Sequence, residues 1–128
     1  MLFYNVFKFL ENPYREDRLV KVNLLISLIV NIITWAALYV KLSPFSYLNE
    51  YGQIYLHYNI YFGIDNIGNW YNVFIIPILG LFFIVFNNIL ALIFYLEDRL
   101  ISYFLVFSQT LLQLVLLIAA IFVILLNI

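Results

Sequence analysis

One histidine and one nearby carboxylate carry most of the chemistry this sequence could perform. His57, Asn59 and Tyr61 alternate along QIYLHYNIYFGIDNIG, residues 53–68, and Asp65 follows just beyond Gly63. Alternate residues of an extended chain share a face. The three polar groups are therefore predicted on one side, with a turn at Gly63 folding the Asp65 carboxylate back toward the imidazole. A His–Asp pair of that kind binds a metal, orients a general base, or responds to pH near neutrality. A hydrolytic zinc site takes three protein ligands, and this loop offers only His57, Asp65 and the more distant Glu50, with no second histidine in the chain. No metal site and no catalytic residues are assigned. Two readings remain: His57 and Asp65 hydrogen-bond within the loop and pin it to its surroundings, or the loop presents His57, Asn59, Tyr61 and Asp65 to a ligand or partner. No Ser–His–Asp order, phosphate-binding glycine loop or nucleotide fingerprint is present, so no cofactor is implied.

The same stretch is written in a two-residue period. Ile54, Leu56, Tyr58, Ile60, Phe62 and Ile64 fall on one face, and Gln53, Tyr55, His57, Asn59, Tyr61, Gly63 and Asp65 on the other. Gly63, Asp65, Asn66 and Gly68 accept turn conformations and close it. Ahead of it, Ser43 as an N-cap, Pro44 at the first helical position and Gly52 as a stop predict one or two helical turns. The segment from 43 to 71 therefore reads as one partly extended loop, its apolar face laid over helix ends.

Everything around this loop is written for lipid. Of 128 residues, 66% are hydrophobic and 10% charged, whereas soluble domains carry about 25% charged residues. An all-α integral membrane protein is predicted, with the lipid bilayer as its surroundings. Six Lys and Arg and a net charge of −1 exclude a nucleic-acid surface. With no cysteine, disulfides and thiolate chemistry are excluded too.

Three spans follow from the apolar runs: 22–40, 73–95 and 100–126. Each carries polar or small residues at helical spacing. Asn23, Ser27, Asn31 and Thr34 form a stripe on the first, Gly80 and Asn87 mark the second beyond Pro77, and Ser102, Gln109, Gln113 and Ala120 form a stripe on the third. Lipid cannot satisfy an amide, so these positions are predicted to make helix–helix contacts. They could also line a polar path, but no charged residue lies within any span, and ion pathways usually hold one. Pro77 and Gly80 predict a kink in the second span.

The N-terminal segment 1–12 places Leu2, Phe3, Val6, Phe7 and Leu10 on one helical face, opposite Asn5, Lys8 and Asn12, as an interfacial helix would. YREDR, residues 14–18, reads as a solvated charged turn. Lys8, Arg15, Arg18, Lys21 and Arg99 fall on one side of the membrane and Lys41 alone on the other. By the positive-inside rule the N-terminus is cytoplasmic and the loop and C-terminus lie outside. Trp35, Tyr39, Tyr47, Tyr51, Trp70 and Tyr71 gather at the outer interface, and Tyr4, Tyr14, Tyr95 and Tyr103 at the inner one.

The run Ile54, His57, Asn59, Gly63, Asp65 and Gly68, placed after one span and before the next, resembles the short N-terminal membrane domain of Sdp-type bacterial immunity and signalling proteins. Members typically read Ile/Val-Pro-x-His-Phe/Trp-Asn, then Gly-x-x-Asp, then an aromatic or Gly. Here Tyr55 stands where the proline usually does, and one residue rather than two separates Gly63 from Asp65. The chain is also similar to uncharacterised three-span bacterial membrane proteins carrying HYNxYFGID. The resemblance implies the cytoplasmic membrane of a bacterium and a role in envelope peptide sensing, immunity or complex assembly. The expected function is that of a non-enzymatic subunit, assembly or scaffolding factor that binds other membrane proteins, or itself, through the loop and polar stripes. The alternative is an extracytoplasmic peptide- or ligand-sensing or immunity protein using His57 and Asp65.

Overall fold

The structure, a computed structural model, describes residues 11–48 and 52–128. Of the interfacial helix expected over 1–12, all but Glu11 and Asn12 lies outside the described residues. A 3-10 turn, Pro13–Glu16, leads into helix α1, Arg18–Leu42. The helix begins four residues before the expected span because Asp17 caps it, accepting from the backbone N–H of Leu19 at 2.9 Å. One turn of helix, α2, Phe45–Leu48, follows. Ser43 was expected to open it as an N-cap, but it lies in right-handed helical conformation as the C-cap of α1, bonded to the Tyr39 carbonyl at 3.0 Å.

Strands β1, Gln53–Asn59, and β2, Gly63–Asn69, form an antiparallel hairpin: the spans are helical as expected, and the segment expected to be partly extended pairs with itself. A 3-10 helix, Trp70–Phe74, runs into α3, Ile75–Phe94, and a tight turn closed by Asp98 leads to α4, Arg99–Asn127. Pro77 stands in the first turn of α3, where its missing N–H removes no intrahelical bond. The kink expected there is not needed.

Among the described residues, three helical segments are long and apolar enough to cross a membrane: Arg18–Tyr47, Trp70–Phe94 and Arg99–Asn127, at mean hydropathies of 1.9, 2.5 and 2.6. Their interior is layered. Tyr14, Val20, Ala91, Leu92, Tyr95 and Val106 form an apolar cluster where α3 turns into α4. Leu38, Leu42, Ile54, Val73, Ala120 and Ile124 form another at the hairpin end. Between them, Asn23, Ser27, Asn31 and Thr34 of α1 face Gln109 and Gln113 of α4, all buried. Outward, α3 and α4 expose Ile, Leu, Val and Phe, as α1 does apart from Ala36 and Tyr39 in its span. A soluble core inverts this order; in lipid the polar groups must be the ones that hide.

The hairpin interrupts the two-residue period. The first strand stops at Asn59, whose Oδ1 accepts from the Tyr61 N–H at 2.9 Å. The chain then reverses through Ile60–Phe62 into Gly63, the first residue of β2, whose φ of +75° is the left-handed backbone that closes a three-residue hairpin loop. The expected apolar face is therefore not laid down on the helices. Ile54 is 2% exposed and Leu56 half-buried, but Tyr58 and Ile64 are exposed, and Ile60, Tyr61 and Phe62 stand out at 86, 88 and 83%.

Candidate functional site

Two regions gather polar side chains, and they use them in opposite ways. In the hairpin, the strands pair Tyr55 with Ile67, then His57 with Asn66, then Tyr58 with Ile64. Leu56 is thus an extra residue in β1 and Asp65 one in β2, a bulge on each side that re-aims its neighbours. The result brings His57 Nδ1 to 2.6 Å from Asp65 Oδ1, with the two side chains 62% and 36% exposed. Asn59 is spent on the turn, and Tyr61 projects from the tip. His57, Asn59 and Tyr61 are therefore not a shared polar face, because the turn begins between the last two.

A residue at the far end of the chain fixes this hairpin. The Asn127 side chain accepts from the Tyr55 N–H and donates to the Tyr55 carbonyl, both at 2.7 Å, while also donating to the Val123 carbonyl at 2.8 Å. An amide presents the same donor and acceptor as a peptide unit, so α4 ends as a one-residue strand partner for β1. Gly68 allows β2 to sit close: a Cβ there would lie 2.6 Å from Leu56 Cδ1. Beneath β1, Leu56, His57 and Tyr58, together with Ile76 of α3 and Ala119, Phe122, Val123, Leu125 and Leu126 of α4, line an open apolar groove of about 640 Å³.

In the bundle, Asn31 Nδ2 donates to the Pro77 carbonyl at 3.0 Å and to Gln113 Oε1 at 3.1 Å, and Gln113 Nε2 donates to the Gly80 carbonyl at 2.8 Å. All three helices thus meet in one set: Asn31 from α1, Pro77 and Gly80 from α3, and Gln113 from α4. Gly80 leaves room for this set, because a Cβ there would lie 2.6 Å from Asn31 Nδ2 and from Gln113 Oε1 and displace both amides. Ser27 Oγ lies 2.9 Å from Thr110 Oγ1, which lies 3.2 Å from Asn23 Oδ1; Asn23 Nδ2 is held by the Leu19 carbonyl. Thr34 donates to the Val30 carbonyl of its own helix, so it makes no hydrogen bond across the interface. Asn87 reaches the Leu105 carbonyl and Ser108, both at 3.3 Å, on the flank of the pair.

Asn88 makes the more central contact. It donates to Gln109 Oε1 at 2.7 Å and to the Ile84 carbonyl at 2.8 Å, and accepts from the Tyr14 hydroxyl at 2.6 Å. Gln109 Nε2 finds no partner among the described residues. The second apolar end is tied down by Asp17: the hydroxyls of Tyr95 and Tyr103 both donate to its Oδ2, at 2.6 and 2.5 Å. Burial works to raise the Asp17 carboxyl, but the hydrogen bonds from Tyr103, Tyr95 and the backbone N–H groups of Leu19 and Val20 outweigh it and hold it below its ordinary value. Tyr14 is pushed up to about 12 by burial and then by the Asp17 charge, and Tyr95 is raised chiefly by its bond to Asp17.

The turn read as a solvated charge cluster is therefore a clamp, with Tyr14 buried and Asp17 joining α1 to α3 and α4. Asn88, Thr110, Asp17 and Asn127 are the residues that spacing did not single out. Spacing favoured Asn87, seven residues or about two turns from Gly80, over Asn88, whose bond to Gln109 depends on how the helices pack; the bonds of Asp17 to Tyr95 and of Asn127 to Tyr55 had no signal, because the partners lie more than 70 residues away. Among the described residues no three of His, Asp and Glu come together to hold a metal ion. A scan against protein-family models, a search of curated proteins and a search of solved structures each returned no match.

Proposed function

We propose that this chain is a non-enzymatic subunit or assembly factor of a bacterial cytoplasmic membrane, inserted with its N-terminus inside and its hairpin and C-terminus outside. Five basic residues against one, Lys41, support that orientation. The observation that carries the reading is the contrast between the helix flanks and the hairpin tip. The polar stripes turn inward and bond within one bundle, Gln109 Nε2 apart, and the exposed positions of the three expected spans carry no polar residue but Tyr39 and no small-xxx-small spacing of the kind that drives helix association. Ile60, Tyr61 and Phe62, by contrast, form an exposed apolar and aromatic cluster on an anchored hairpin, the composition that protein interfaces favour. Partner binding is thereby assigned to the hairpin and withdrawn from the stripes.

A photo-crosslinking residue placed at Tyr61 is expected to yield a protein adduct in native membranes, and one at Ile89, on the lipid-facing side of α3, none. A strictly monomeric particle in mild detergent, with no adduct from position 61, overturns the proposal.

A second reading rests on the exposed His57–Asp65 pair: capture of a secreted peptide or small ligand, as the resemblance to immunity proteins implies. His57→Ala and Asp65→Ala would then lower tolerance to envelope stress or toxin peptides. Unchanged tolerance in both variants removes this reading.

A further inference from the structure

We infer that the groove under β1 is a binding site for one phospholipid, its acyl chain lying between α3 and α4 and its polar head at His57 and Asp65. The walls decide the kind of occupant. Ala119, Phe122, Val123 and Leu126 recur at three- and four-residue steps on one face of α4, and Ile76 lies in the first turn of α3, so both walls belong to segments apolar enough to cross a membrane. What surrounds such walls is hydrocarbon, and a cleft between them fills from the side with an alkyl chain. At about 640 Å³ the groove is within the range of small-molecule sites. Its roof decides the orientation of the occupant. β1 crosses the end of the groove, held there by Asn127, and contributes its polar lining residues, Tyr58 and His57, the ring of the latter fixed by Asp65 at 2.6 Å. The long apolar wall ending in one hydrogen-bonding pair matches an amphiphile of one chain and one head. A soluble peptide would bring backbone donors and acceptors that these walls cannot meet. A second copy of this chain is disfavoured because Phe122 and Leu125 stand outward beside the groove and would hold a helix away from Ala119, its one small lining residue.

Ala119 is the lever, because a larger side chain there fills the groove without touching the polar belt. The full chain, reconstituted in phosphatidylethanolamine and phosphatidylglycerol and extracted in mild detergent, is expected to show one retained phospholipid per protomer by native mass spectrometry. Ala119→Phe is expected to reduce the lipid-bound fraction at least about tenfold, and His57→Ala by a smaller factor. Leu111→Phe adds the same ring to a lipid-facing position outside the groove and controls for bulk; it is expected to retain lipid. Helical circular dichroism of each variant confirms that it has folded. Retention of detergent alone, retention unaffected by Ala119→Phe in a folded variant, or a dimer in place of a lipid adduct each overturns the inference. The crosslink from position 61 reads partner binding separately, so the two proposals fail independently.

Discussion

The middle of the bundle and the hairpin both gather polar side chains, yet one is closed and the other open. In the bundle, Asn31, Gln113 and the carbonyls of Pro77 and Gly80 satisfy one another across three helices, and little is left to bind anything else. In the hairpin, His57 and Asp65 bond only to each other among the described residues, and the tip carries its largest side chains outward. The difference follows from the solvent each region meets. In hydrocarbon, an unpaired amide is penalised by several kcal/mol, so the belt's polar groups find partners, with Gln109 Nε2 the exception among the described residues. In water, exposed groups pay no such penalty, and recognition becomes possible.

The comparison is broken most directly at Gly80. Gly80→Val drives a side chain into Asn31 and Gln113, both hydrogen-bonded and buried, and is expected to destabilise the bundle by about 2–3 kcal/mol through overpacking and lost hydrogen bonds. Reversible unfolding in mixed micelles measures it; a loss under about 0.5 kcal/mol would show that the belt is not a closed set.

Asp17→Ala removes a helix cap and the acceptor of two tyrosine hydroxyls, an expected loss of about 1–2 kcal/mol. The wild-type contribution also depends on pH. The Asp17 carboxyl is lower in the folded chain, so its stabilisation is complete above the unfolded value of about 3.9 and disappears as pH falls through the folded one. Tyr14 acts in the opposite direction: its contribution is complete below an unfolded pKa of about 10 and is lost as pH rises toward about 12. Melting curves of wild type and Asp17→Ala should converge in acid and stay apart at neutral pH.

Asn127→Ala tests whether the hairpin is anchored or merely adjacent. It should leave global unfolding within about 0.5 kcal/mol. Exchange of the Tyr55 amide hydrogen should accelerate about tenfold, as expected for a lost local contact worth about 1.4 kcal/mol. The smallest effect belongs to the tip: Ile60 and Phe62 changed together to Ser should not lower the melting temperature, because both are exposed, while removing the adduct formed by the crosslinking residue at position 61. A large loss of stability from the tip would mean that it packs against the protein itself.

Much of the bundle was legible in the sequence. The stripes at four-residue spacing placed Asn23, Ser27, Asn31, Gln109 and Gln113 on faces that are buried, since helical geometry converts spacing into direction without reference to anything distant. The hairpin was less legible. Its period of two suggested one long extended stretch, but Asn59 and Gly63 favour a turn in the middle of it, and two bulges shift the faces on either side of His57. Local pattern fixes which residues alternate and leaves open where a strand reverses.

By itself, the sequence determined that three segments suit a membrane, that polar residues line one side of each helix, and that one histidine and one aspartate stand close together in the chain. These follow from transfer free energy and from the 3.6- and 2-residue periods, which act locally. Only the tertiary structure decided that Asn88 rather than Asn87 meets Gln109, that Asp17 ties three helices through Tyr95 and Tyr103, and that Asn127 holds Tyr55 from the other end of the chain. Each of these joins residues that the sequence sets at least 21 positions apart, and a hydrogen bond forms only where packing has already brought donor and acceptor within about 3 Å.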